Sequence, residues 1–390
     1  MGIQKELLLR GEPKFGSIYG DEETRVVNKL LRESIKPSVG FDSDKETVQF
    51  EKDFCKLTRC KYSVALNGAG SAIDLVLKAL SLKKEDEVIS CTINFPGTHL
   101  SVIGSGAKLV LVEADVSAIN PDPEDVRRKL SKNTKVILVT HMNGLAANIS
   151  AIEEAINSSG YFKNKIRPKI ICDAARALGT TYKSNHIGQE AWATVFSFHS
   201  YKMITTLGEG GMVVTDNEEL ASHLQDYRSF GRSNAWGSNF RMTKLQAGVG
   251  HVQLKKLKKL VSLRRKLAFQ RNKILSNYSE ITIQKDTDYS ANCYYLYTII
   301  LPRNKKGEKR DEMIKILKEE FGVGCAIANR PTYQSSTLIK KHIKGQSLPT
   351  SDDLGERIIC PVIHPQMTKE TNEYVMNSFL TVYKTVFRNK

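Results

Sequence analysis

Phe196-Ser197-Phe198-His199-Ser200-Tyr201-Lys202-Met203-Ile204-Thr205-Thr206-Leu207-Gly208-Glu209-Gly210-Gly211-Met212-Val213-Val214-Thr215 is the stretch on which the reading of this chain turns. It reads as a short buried strand, a loop with one lysine, a Gly-Glu-Gly-Gly turn and a second strand. A lysine held between two apolar strands is partly desolvated, which favours the free amine. A free amine is what a lysine needs to form a Schiff base with an aldehyde. By itself the signal is small. A loop lysine is more often a solvated charge, so the neighbouring sequence decides.

Working outward, short β-rich runs occupy 62–66, 87–90, 108–112, 135–140, 169–172, 194–198 and 212–215. Helix-like segments at 71–82, 99–104, 123–130 and 151–158 separate them. Such alternation predicts a mostly parallel seven-stranded sheet covered on both faces, an α/β fold. Ligands of such sheets bind beyond the C-terminal strand ends. Loops 67–71, 91–98, 173–179 and 199–211 all fall on that edge.

Two amphipathic helices precede the sheet, at 22–35 with Asp21 as cap and at 43–58 capped by Ser43 or Asp44. After about residue 244 the alternation stops. Residues 245–277 read as one long helix or two in series, then come strands at 280–284 and 293–301, a helix at 311–321 and a last helix at 369–387. The chain therefore divides into a large α/β domain, 1–250, and a smaller C-terminal α+β domain, 251–390.

The 390 residues are 41% hydrophobic and 26% charged, ordinary for a globular protein. No run of 18 apolar residues exists and the N-terminus lacks an apolar targeting segment, so a cytoplasmic protein with no membrane partner is expected. Seven scattered cysteines agree with a reducing compartment, and the Cys55/Cys60 spacing matches no common metal motif, so no metal is expected. The net charge of +16 suits an anionic substrate. The basic segments 255–273 and 303–318 read as solvated helix faces without interleaved aromatics, so nucleic acid is not the expected partner.

Pyridoxal 5'-phosphate (PLP) is the commonest aldehyde partner of such a lysine, and its site needs three further things. A carboxylate must pair with the pyridine nitrogen, backbone donors must hold the phosphate, and a flat group should cover the ring. Asp173 directly follows the run 169–172 and stands 29 residues before Lys202; it also reads as the cap of a helix over 174–178. Asn67-Gly68-Ala69-Gly70-Ser71 is a small-residue loop between strand and helix, a phosphate cradle in type or a plain turn. Phe95, beside Pro96 and Gly97, is a stacking candidate or a core residue, and Ser197 is placed to offer its hydroxyl to the phosphate.

Three motifs carry a family resemblance: Asp173-Ala174-Ala175-Arg176-Ala177-Leu178-Gly179, Ser197 to Lys202 with Gly208-Glu209-Gly210-Gly211, and Asn239-Phe240-Arg241-Met242 before Leu245-Gln246-Ala247. With them the chain resembles, from about Tyr19 to its last helix, the fold-type I PLP-dependent sugar aminotransferases of the DegT/DnrJ/EryC1/StrS family. The resemblance implies Lys202 as the cofactor-linked lysine and proton carrier, and Asp173 as partner of the pyridine nitrogen. It implies Ala69, Gly70, Ser71 and Ser197 at the phosphate and Phe95 on the ring. Asn239 would reach the phosphate of a neighbouring subunit, which makes the site a property of a homodimer.

Two departures from the family pattern stand out. Arg176 replaces the usual glutamine near the ring oxygen; it could cover the ring, bind a substrate carboxylate or point away. Ala69-Gly70 replaces the common Gly-Thr, leaving Ser71 as the nearest hydroxyl. Family dehydratases carry histidine in place of the lysine, so Lys202 favours transamination.

The implied activity is amino transfer from an amino acid, L-glutamate, to a nucleotide-linked keto-deoxysugar. Alternatives are an aminotransferase or dehydratase acting on a non-nucleotide keto sugar or cyclitol, and a non-catalytic PLP-binding regulator on DNA. Arg330 and Tyr333 are candidates for sugar or phosphate contact.

Overall fold

The computed structural model describes residues 9, 18–41, 44–163, 166–233 and 235–386. The expected cap Ser43 and the last-helix end at Phe387 lie outside them. The seven expected strands are present: β1 (Tyr62–Leu66), β2 (Glu87–Cys91), β3 (Lys108–Val112), β4 (Thr134–Thr140), β5 (Lys169–Asp173), β6 (Ala193–Ser197) and β7 (Gly211–Thr215). Their order is β1-β7-β6-β5-β4-β2-β3. Only β7 runs against the others, pairing antiparallel with both β1 and β6.

The strands read as apolar runs because both faces are buried. Along β7, Met212 and Val214 enter one core with Phe50, Phe54 and Phe196, while Val213 enters the opposite core with Val195, Leu75 and Val76. Helix α1 (Asp21–Ser34) is preceded by Gly20, not capped by Asp21; the Gly20 N–H donates to Glu23 Oε2 at 2.8 Å. Helices α2 (Lys45–Thr58), α3 (Ala69–Ala79) and α4 (Pro96–Gly104) follow.

The long basic segment is one helix, α5 (Lys244–Leu275). Thr243 caps it, its Oγ1 accepting the Gln246 N–H at 3.3 Å while its own N–H donates to Gln246 Oε1 at 3.0 Å. Ala247, Leu257 and Leu260 of α5 join the first core. Leu267, Ala268 and Leu275 join a third core, with Ile299, Leu317 and Phe379 from the C-terminal part.

Two expectations are corrected. The basic segments are not wholly solvated, because Arg264, Arg271 and Arg310 are fully buried. Their planar forks donate to backbone carbonyls: Arg264 to Tyr295 and Ile363, Arg271 to Pro361 and Arg310 to Ile358, at 2.8 to 3.1 Å. Nor is 293–298 a strand. Its Cys293 and Leu296 N–H groups donate to the carbonyls of Gly144 and Asn143, so it packs on the loop after β4, and only Ile299–Ile300 pairs in a sheet. Among the described residues no helix is long and apolar enough to cross a membrane.

Candidate active site

Asp173 is the buried last residue of β5. Its Oδ1 accepts the Ala175 N–H at 3.0 Å and its Oδ2 accepts the Thr98 hydroxyl at 2.9 Å. Residues 175–179 form turns, so Asp173 caps no helix. Thr98 lies in the first turn of α4, which Phe95 precedes, so the start of α4 and the end of β5 share one locality. Phe95 is 60% exposed on that rim and is not a core residue.

The β6–β7 connection is a tightly bonded loop. Phe198 N–H donates to the Gly210 carbonyl, Ser200 N–H to Gly208, Lys202 N–H to His199 and Thr206 N–H to Phe198, all at 2.9 to 3.0 Å. The chain reverses through Gly208 and Gly210, whose φ angles of 115° and 155° favour glycine. Tyr19 clamps the loop from outside, donating to the Thr205 carbonyl at 3.0 Å and accepting the Leu207 N–H at 3.2 Å.

Lys202 is half-buried, with Nζ 5.1 Å from the centroid of the Tyr295 ring. The Arg176 guanidinium lies 5.7 Å from the same centroid. Tyr295 thus joins the lysine loop to the turn after Asp173, and Arg264 anchors the Tyr295 carbonyl at 3.0 Å. Arg176 also donates to Asn143 Oδ1 at 2.9 Å and Asn329 Oδ1 at 3.2 Å.

Ala69, Gly70 and Ser71 form the first turn of α3, where N–H groups have no partner within the helix. The Ser71 hydroxyl donates to Asn67 Oδ1 at 2.6 Å, back into its own loop. Register carries this turn to the lysine loop: Leu66 pairs with Gly211, and Gly211 pairs with Ser197. The strand start and the cradle approach so closely that a Cβ on Gly211 would stand 2.5 Å from the Gly68 carbonyl carbon and 2.8 Å from the Ala69 nitrogen. Gly211→Ala is expected to cost about 1–3 kcal/mol, as overpacking does, and to weaken PLP binding. Thermal unfolding and PLP titration of the variant check both effects.

Asn239 stands apart. It is exposed and lines a separate cleft of about 690 Å³ with Phe41, Asp44, Arg228, Arg241 and Lys244, whose lining includes none of the other expected cofactor residues. The Phe240 carbonyl next to it accepts the Asn67 N–H at 2.9 Å, tying this segment to the cradle loop. Tyr333 donates to Asp352 Oδ1, and burial together with that carboxylate raises its phenol pKa. Arg330 pairs with Asp311 at 3.5 Å.

His141, Cys172 and Glu190 place one ligand atom each within 4.8 Å of one another. They do not suit a metal. His141 Nδ1 accepts the Ala147 N–H at 3.0 Å, so the neutral ring carries its proton on Nε2, facing Glu190 Oε1 at 3.4 Å.

Thr98, Asn143, Tyr295 and Asn329 also meet the candidate site; Thr98 closes the expected loop 91–98 and Asn329 precedes the candidate Arg330, while Asn143 and Tyr295 were not singled out. Asn143 had a usable signal, since it follows a strand of the sheet as the chosen loops do. Together the residues fit PLP: an amine, a buried carboxylate at a strand end and a helix N-terminus, all at one sheet edge.

Comparison with known proteins agrees with this geometry. Residues 20–380 match the DegT/DnrJ/EryC1/StrS aminotransferase family. The spore coat polysaccharide biosynthesis protein SpsC of Bacillus subtilis is 28% identical over 385 residues, covering 94% of this chain and 96% of SpsC. Helicobacter pylori PseC, an aminotransferase involved in the biosynthesis of pseudoaminic acid, superposes with a TM-score of 0.86 at 22% identity, over 95% of this chain and 98% of PseC. The PLP-form of Spr1654 from Streptococcus pneumoniae gives the same TM-score, identity and coverage. The match over nearly the whole length places the chain in the DegT/DnrJ/EryC1/StrS aminotransferase family, as a PLP-dependent enzyme of the sugar aminotransferase class.

Proposed function

We propose that this enzyme moves an amino group from L-glutamate to the ketone of a nucleotide-linked deoxysugar. The observation that carries the reading is the meeting of the Lys202 amine and the Asp173–Arg176 turn on Tyr295. PLP, when bound, supplies an electron sink for the bond-breaking steps. Lys202 would hold the cofactor, and its amine would remove or return the proton at the substrate carbon that bears the nitrogen. Asp173, oriented by Thr98, pairs with the pyridine nitrogen. The first-turn amides Ala69 to Ser71 and the Ser197 hydroxyl hold the phosphate, and Phe95 covers the ring. Asn239, set in its own cleft, serves the phosphate of a partner subunit, so the working unit is a homodimer. We also propose the division into domains 1–250 and 251–390, with α5 linking them. Among the described residues all seven cysteines are free thiols, in keeping with a cytoplasmic enzyme.

The charge of +16 suits a diphosphate-bearing substrate, and the polysaccharide biosynthesis named for SpsC supports a sugar acceptor. The test has two parts. Protein loaded with PLP should show a visible absorption band that L-glutamate discharges; absence of that band sinks the reading. Nucleotide sugars should raise the unfolding temperature, with mass spectrometry identifying the aminated product. Stabilisation by free keto sugars but by no nucleotide would instead favour the non-nucleotide substrate.

A further inference from the structure

We propose that Arg176, clamped by Asn143 and Asn329, is the receptor for the α-carboxylate of the amino donor. The proposal rests on the transaminase reading above and adds a residue and a ligand group to it.

The argument begins with the partners of Arg176. Its guanidinium is half-buried, yet among the described residues it makes no ion pair. Arg228, Arg265 and Arg357, also only partly exposed, each face a carboxylate. The Arg176 contacts are neutral: Asn143 Oδ1 at 2.9 Å, Asn329 Oδ1 at 3.2 Å, the Met142 sulfur at 3.9 Å and the Tyr295 ring. Two amide oxygens fix the direction of the fork and leave its charge uncancelled. A partly desolvated cation held in this way is a preorganised site for an anion, and the planar fork matches a carboxylate.

A second observation points the same way. Asn329 Nδ2 is buried and has no acceptor, so a further donor lies beside the guanidinium. Asn329 and the preceding Ala328 both sit at positive φ, 65° and 54°. Two successive left-handed residues without glycine are a strained way to present one side chain, and such strain gathers at binding sites.

Chemistry selects the anion. The α-carboxylate of an amino acid lies two bonds from its amine, so its receptor must stand close to the reacting lysine. Arg176 does so, sharing one aromatic ring with Lys202. A sugar diphosphate lies many bonds from the ketone and needs a receptor further away.

The experiment uses PLP-loaded wild type, Arg176→Gln, Arg176→Lys and Asn329→Asp. Glutarate, which has carboxylates and no amine, is titrated by calorimetry. Discharge of the visible band is followed with L-glutamate and with L-isoglutamine, whose α-carboxylate is an amide. Arg176→Gln should weaken glutarate binding and slow discharge by glutamate, each about tenfold or more, the loss of one charge-assisted pair. Its effect on isoglutamine should be negligible, and Arg176→Lys should recover part of the loss. Asn329→Asp, which sets a competing carboxylate beside the fork, should weaken glutarate to a similar degree; it carries the test if Arg176→Gln fails to load PLP.

The proposal is overturned if Arg176→Gln binds glutarate within about twofold of wild type. It is equally overturned if the substitution alters only the pH dependence of the visible band, which would place Arg176 on the cofactor alone. Glutarate binding that depends on Arg176, in a wild type that no amino acid discharges, would sink the transaminase reading and leave the carboxylate receptor standing.

Discussion

Lys202→Ala should abolish the visible band of the PLP-loaded protein and lower amino transfer by about a thousandfold or more, because in the proposed function one side chain supplies both the covalent link and the proton carrier. Overall stability should hold to within about 0.5 kcal/mol of wild type, as for substitutions that leave the packing intact. The reason lies in how the loop is built. Its shape comes from backbone bonds between Phe198 and Gly210, Ser200 and Gly208, and from the Tyr19 clamp, none of which uses the Lys202 side chain. The non-covalent part of the cofactor site also survives, so PLP should still bind, but reversibly. Absorption spectra, dialysis and calorimetry of the variant separate these outcomes. A variant that kept the band would remove Lys202 from the mechanism.

Asp173→Asn should lower transfer by about a hundredfold to a thousandfold, the range for removing one preorganised electrostatic partner. The substitution is nearly isosteric, and the amide oxygen can still accept the Ala175 N–H or the Thr98 hydroxyl, so folding is preserved. What is lost is the negative charge that, in the proposed function, would keep the pyridine nitrogen protonated. The visible band should therefore persist while its discharge by L-glutamate slows, a split that stopped-flow absorbance resolves. Thr98→Val should reproduce a fraction of this loss, since it frees the carboxylate from its orienting hydroxyl.

The sheet was legible because strands buried on both faces are written as short apolar runs, and Met212 to Val214 shows why: neighbouring residues fill opposite cores. Asp173 stood out for the same reason, as a polar residue closing such a run, and Lys202 as the one lysine in the loop between two of them. Tyr295 was not legible. It reaches the site from a segment with no regular structure of its own, positioned by Arg264 and by the loop after β4, and no local pattern encodes such contacts. Asn329 comes from a separate stretch, beside Arg330, and meets the site through Arg176. Arg264, Arg271 and Arg310 misled for a related reason. Charge along a helix signals solvent unless the facing chain offers carbonyls, and that chain lies far away in sequence.

The antiparallel β7 also governs when the site can exist. At the sheet edge, β1 has β7 as its sole strand neighbour among the described residues, and the two are separated by roughly 150 residues. During synthesis the cradle segment is made early but lacks its contact with Gly211 until β7 has left the ribosome. Closure of so long a loop is slow relative to local helix formation, so α3 can form well before its N-terminus meets Gly211. Cofactor capture is thereby placed late in folding, and a nascent chain cut short before Thr215 would lack the docked cradle even though every residue of Asn67 to Ser71 was present.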